Sequence, residues 1–192
     1  LLEVYLDAVF FARLDALDFA QEGHRVEFTD DDKGQQSLTF KGVVFNEMKG
    51  AMSSPVSQLW DTLSKYLFPS TTYHFNSGGD PSDIPNLSHE QLLAFYKRHY
   101  HPSNAIFMTS GDILAATHQK SFEEHALHRF SAQKIDLFVA DEKRYFSPIK
   151  VQESYPAEAN DKQAKSHLVL GCVLGQSTDL AQQMRANLLA RA

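Results

Sequence analysis

The sequence predicts an α+β fold, on three observations. Apolar residues recur at helical spacing over 1–14, 38–53, 56–67, 88–100 and 117–130. Shorter runs with strand character lie at 19–28, 105–112 and 166–175. The two kinds of segment mix without strict β-α-β alternation, which separates this chain from the doubly wound α/β class.

Residues 1–14 are apolar almost all round, which predicts a buried helix. Residues 19–28 alternate towards their end, where Val26 and Phe28 predict a strand. The polar stretch 29–36 reads as a turn around Gly34. Residues 38–53 carry a stripe at 40, 43, 44, 47, 48 and 51, interrupted at Ser53-Ser54-Pro55. A second amphipathic helix follows, with Val56, Leu59, Trp60, Leu63, Tyr66 and Leu67 on its face. Residues 68–86 form a long irregular loop rich in Gly and Pro. Ser88 with Gln91 three residues on is a capping box that opens the helix ending near Tyr100. After the turn at 101–104, residues 105–112 read as a buried strand. Residues 117–130 form a helix with Phe122, Ala126 and Phe130 inward. The polar, Pro-containing segment 141–163 predicts a linker and an exposed strand. Residues 166–175 read as a strong strand, and Ser177 or Thr178 as the start of a last helix. The domain reading is 1–134, a connection over 135–165, and the start of a second domain over 166–192.

The 192 residues are 43% hydrophobic and 22% charged, ordinary for a globular domain with a substantial core. A net charge of −6 argues against a nucleic-acid partner, which demands a basic surface, and permits a basic peptide. No run approaches the ~20 apolar residues that span a bilayer, and no secretory signal is visible. Both ends read as lying inside helices, so the expectation is a piece of a longer protein. The single cysteine, Cys172, makes no disulfide within the chain and reads as a small buried strand residue.

Glu47 is the residue that needs an explanation. It falls near the centre of the stripe formed by Phe40, Val43, Val44, Met48 and Ala51. A carboxylate on a buried face is costly unless a cation meets it. An Arg, a Lys or a metal ion would serve, and the spacing alone leaves a buried ion pair and a metal role both open. Other constellations are weaker. The paired glycines of residues 76–81 lack the spacing of a phosphate loop and read as a tight turn with positive φ at Gly78 or Gly79, capped by Asp80. His125 and His128 share a helix face without a third ligand in view, and His99 and His101 point apart. No G-x-S-x-G, H-E-x-x-H or H-x-x-E-H is present.

Five segments in one order carry a resemblance: YLDAVF (5–10), QEGHR (21–25), KGVVFNEMKG (41–50), SGGDP (77–81) and YHPSNA (100–105). Over about 5–112 the chain resembles the insulinase/pitrilysin group of zinc metallopeptidases, the presequence-protease branch most of all. Residues 113–192 resemble it more loosely, as a hinge and the opening of a second domain. The resemblance implies helices on one face of a largely antiparallel sheet, as in an insulinase-like half-domain. It implies that Glu47 is the distal zinc ligand, opposite two His of an upstream H-x-x-E-H segment that these residues do not include. Zinc then belongs to the intact parent and is not held by this chain alone, which has no catalytic residue of its own. His24 is the one other donor to watch. The implied partners are peptide substrates and the remaining domains of the parent, with no nucleic acid and no membrane. The alternative is a non-catalytic insulinase-like domain serving peptide binding or assembly.

Overall fold

Alternation at residues 25–30 does produce a strand. In a computed structural model describing residues 1–30, 33–156 and 165–190, β1 (Arg25–Asp30) pairs antiparallel with β2 (Gln36–Lys41). The register sets Val26 opposite Phe40 and Phe28 opposite Leu38 on one face, and Glu27 opposite Thr39 on the other. Besides this two-stranded sheet the described residues form seven α-helices: α1 (Leu2–Phe10), α2 (Ala16–Glu22), α3 (Val43–Ala51), α4 (Pro55–Leu67), α5 (His89–His99), α6 (Ala115–His125) and α7 (Leu180–Leu189). The class is α+β, as the sequence predicts.

The chain gathers into two compact units, one of residues 1–45 and 82–137, the other of residues 46–81 and 138–192. The first holds an aromatic core. Leu6, Phe10 and Ala126 are buried at its centre, with Phe107, Phe122 and Phe130 packed against them. The Phe10 ring lies 5.9 Å from both Phe107 and Phe130, and the Arg129 guanidinium sits 3.8 Å over Phe11. Phe122, Ala126 and Phe130 do lie inward, but the helix expected over 117–130 ends at His125: Ala126 is its C-cap, Leu127–Arg129 a 3-10 turn and Phe130 extended. Long-range hydrogen bonds tie the elements together. The Tyr96 hydroxyl donates to the Val9 carbonyl (2.7 Å) and accepts from the Ala12 N–H (3.0 Å) just beyond α1. The His89 ring bonds the carbonyl of Leu14, a non-glycine residue held at φ 48°. α5 opens on the predicted capping box: Ser88 Oγ accepts from the Gln91 N–H, and Gln91 Oε1 accepts from the Ser88 N–H.

In the second unit α4 is capped by Ser54, with Pro55 at its first position. The loop after it turns at Gly79, φ 90°, one of the two glycines at which the sequence predicts positive φ. Asn76, not Asp80, caps that turn, through its side chain to the Gly78 N–H (3.0 Å). Asp80 instead pairs with Lys65 (3.5 Å), which also holds Asp61 (2.8 Å). Glu142 binds the Ser70 N–H and hydroxyl (2.8 and 2.6 Å), and Tyr66 donates to Glu153 (3.0 Å). Gly171 lies so close to the Leu63 and Leu67 side chains that a Cβ there would meet both at 2.8 Å.

Several expectations are corrected. The first helix ends at Phe10, and only Leu6 and Phe10 of it are buried; Val4 and Tyr5 face outward, because one stripe is enough to meet α6. Residues 38–41 are strand, not helix, and α3 begins at Val43. Residues 105–112 and 166–175 form no strand ladder among the described residues. Phe107 turns into the core while Ile106 and Met108 are exposed. Cys172 is exposed, while Gly171 beside it is the residue that meets α4. The last helix is capped by Asp179 rather than Ser177 or Thr178, through the Ala181 and Gln182 N–H groups. Residues 31–32 of the predicted turn, 157–164 of the predicted connection and 191–192 lie outside the described residues.

Candidate functional site

Glu47 sits on α3, whose start is fixed by a close approach of two backbones. A Cβ on Gly42 would lie 2.0 Å from the Gly23 carbonyl oxygen, so only glycine fits where β2 passes into α3. From that start the helix turns Phe45 inward, where its ring meets Phe40 at 6.1 Å. Further along, Met48 lies against Gly78 and Met52 accepts from Asn76 Nδ2 (4.0 Å). Residues 45, 48 and 52 are thus the more covered side of the segment.

That phase corrects the predicted stripe. Val43, Val44, Glu47 and Ala51 are exposed, and Phe40 belongs to β2. Glu47 is hydrated rather than buried, and no salt bridge reaches it among the described residues, so the buried ion pair is overturned as well. The physical reason is simple. A helix turns inward the side its neighbours meet, and here Gly42 and the 76–79 turn set that side about one residue away from the apolar stripe.

The remaining candidates are occupied elsewhere. His24 bonds the Leu87 carbonyl through Nε2 (2.7 Å), and its buried Nδ1 has no hydrogen-bond partner among the described residues. His125 faces Glu3 (3.6 Å), whereas His128 bonds the Glu123 carbonyl (2.8 Å), so the pair does not converge. The His99 ring lies tilted against Phe95 (4.4 Å); His101 is buried against Phe130 and accepts from the Ser103 N–H. The two rings have separate partners. Glu90 lies at the start of α5, its carboxyl held below the ordinary range by its own backbone N–H and by Ser88. Such a carboxylate supports a helix terminus. Sequence reasoning missed Tyr96 and His89, whose long-range bonds hold the first unit together; nothing local marks them.

A catalytic zinc takes three protein donors and an open fourth position. No group of three His, Cys, Asp or Glu side chains converges among the described residues, so these residues do not fit a zinc ion on their own. Glu47 offers one oxygen donor group and no more. No described helix is long and apolar enough to cross a membrane.

Comparison with known proteins places the chain. Residues 86–192 match the family described as "Peptidase M16 inactive domain". The "Presequence protease, mitochondrial" of Xenopus tropicalis is 39% identical over 192 residues, 99% of this chain and 19% of that protein. The protein of the same name from Danio rerio is 40% identical over the same shares. "Protein HypA" of Clostridium perfringens is 36% identical over 201 residues, covering 100% of this chain and 20% of its own. The chain therefore spans about a fifth of the length of these relatives. The resemblance read from the five motifs holds over the whole chain, and with more than half of its residues matched by one family, this chain belongs to the peptidase M16 family, in its inactive-domain group.

Proposed function

We propose that this chain is part of a zinc-dependent endopeptidase that degrades peptides, and that it is catalytically incomplete by itself. In the intact protein Glu47 supplies one zinc ligand, and the other donors and the water-activating group come from outside these residues. The observation that carries this reading is Glu47 itself: a carboxylate on an exposed helix face with no salt bridge among the described residues, inside the KGVVFNEMKG segment. The relatives named presequence proteases support peptides as the substrate class. The chain is read as an insulinase-like half-domain over 1–134, a connection over 135–165 and the opening of a second such domain over 166–192.

The test uses the full-length parent. Glu47→Gln is expected to lower zinc affinity at least tenfold while leaving the melting temperature of the metal-free protein unchanged, because one charged ligand is lost and no buried contact is. Unchanged zinc affinity removes the role. The second reading, a non-catalytic domain for peptide binding or assembly, is favoured by the inactive-domain description of residues 86–192. The parent's upstream sequence separates the two: an intact H-x-x-E-H supports the enzyme, and a replaced His supports the binding domain.

A further inference from the structure

Gln58, Asp61 and Lys65 share one face of α4 by their helical spacing. This polar stripe is not left to water. All three residues are half-buried, and the Asp61 side chain is only 11% exposed, while Val56, Trp60 and Tyr66 of the same helix are exposed. The stripe meets the end of α3 and the turn at 76–79. Gln58 Nε2 donates to the Met52 carbonyl (2.7 Å), just past α3. Asn76 Nδ2 donates to Asp61 (3.3 Å), and Asn76 Oδ1 accepts from the Gly78 N–H (3.0 Å). Lys65 joins Asp61 to Asp80 beyond the turn (2.8 and 3.5 Å). The turn held in this way lies hard against α3: a Cβ on Gly78 would sit 2.3 Å from Met48 Sδ. All of these residues belong to the second compact unit.

A carboxylate so little exposed is costly unless partners hold it, and charge-assisted bonds to Lys65 and Asn76 fix its direction. Asp61 is therefore a firm anchor for the turn. Met48 follows Glu47 directly, so any rotation of α3 that moves Met48 swings Glu47 with it. A metal ligand has to be held within about 0.5 Å of its working place. We infer that Asn76 is a positioning residue for Glu47: its bond to Asp61 seats Gly78 against Met48, which sets the rotation of α3 and so the direction in which Glu47 is presented. The inference rests on the reading of Glu47 as a ligand in the intact parent. Gly42 against Gly23 fixes where α3 starts, and the Asn76 turn fixes the half of the helix that follows Glu47.

The experiment is an exchange of donor and acceptor in the full-length parent. Asn76→Asp keeps an acceptor for the Gly78 N–H but sets two carboxylates against each other. Adding Asp61→Asn restores the bond with the roles reversed. Zinc affinity, measured by competition with a chelator, is expected to fall roughly tenfold with Asn76→Asp and to return to within about threefold in the exchanged pair. On a Glu47→Gln background Asn76→Asp is expected to change it by less than about twofold, because the residue it acts through is gone. A role confined to stability would lower the melting temperature without this dependence on Glu47. Gly78→Ala reaches the same contact with no change of charge: it should weaken zinc binding, and adding Met48→Ala should restore it by making room. This pair decides the matter if Asn76→Asp does not fold. A readout without metal comes from the isolated chain, where amide exchange at residues 48–52 is expected to quicken roughly tenfold with Asn76→Asp and to recover in the exchanged pair. Unchanged exchange there overturns the inference. So does a loss of zinc affinity that is equally large on the Glu47→Gln background. If Glu47→Gln weakens zinc binding while Asn76→Asp and Gly78→Ala do not, this inference alone is overturned. If Glu47→Gln has no effect, the ligand reading falls and this inference with it.

Discussion

Gly42 shows how a single residue positions the candidate ligand. Its missing Cβ lets β2 turn into α3 against the Gly23 carbonyl, and that contact fixes which side of α3 faces in. Gly42→Ala would put a methyl group 2.0 Å from that oxygen, and neither backbone can yield cheaply. The expected loss is about 2 kcal/mol or more, measured by urea denaturation of the isolated chain. Glu47 predicts the opposite. It is exposed and makes no salt bridge among the described residues, so Glu47→Gln in the isolated chain should change stability by less than about 0.5 kcal/mol. A larger loss would mean that the carboxylate holds the fold rather than standing ready for a ligand.

At the scale of elements, local signals and distant contacts share the work. The capping box of α5 satisfies two backbone N–H groups through Ser88 and Gln91, and Ser88→Ala should cost about 1 kcal/mol. Loss of helicity and of stability together would check it. The segment after residue 141 is held differently, by Glu142 on the Ser70 turn and by the Tyr145 hydroxyl on the Tyr66 carbonyl. The Ser70 hydroxyl and N–H hold the Glu142 carboxyl below its ordinary value of 4.5. A depressed carboxyl pKa means the attachment is at full strength above the ordinary value and is lost as pH falls through the lowered one. Amide exchange in residues 141–146 should therefore exceed its intrinsic pH trend below about pH 4.5, and Glu142→Gln should remove that pH dependence.

For the whole molecule, the division into 1–134, 135–165 and 166–192 is a proposal; the two compact units, 1–45 with 82–137 and 46–81 with 138–192, divide the chain differently. Limited proteolysis of the chain is expected to cut first within 131–165, where the described residues carry neither helix nor strand. First cleavage inside 88–112 would contradict that boundary. The isolated chain, given zinc and a quenched unstructured peptide, is expected to show no chelator-sensitive turnover, since Glu47 is the one zinc donor assigned to it. Turnover would mean that three donors converge somewhere in these 192 residues.

Features that depend on neighbours along the chain are legible in the sequence. Ser88 and Gln91 spell a cap, Ser54 and Pro55 a helix start, and the alternation up to Phe28 a strand, because each is decided by backbone chemistry within a few residues. The motifs from YLDAVF to YHPSNA determined the family in the same way, by residue identity in order. The phase of α3 was not legible. Periodicity finds the apolar stripe, and the step from stripe to burial assumes that a partner layer covers it. The tertiary structure decided otherwise: Gly42 against Gly23, and Met48 against Gly78, turned residues 45, 48 and 52 inward and left Glu47 in water. Burial is a property of what packs against a face, so a sequence can name the apolar face while only the assembled neighbours determine whether it is covered.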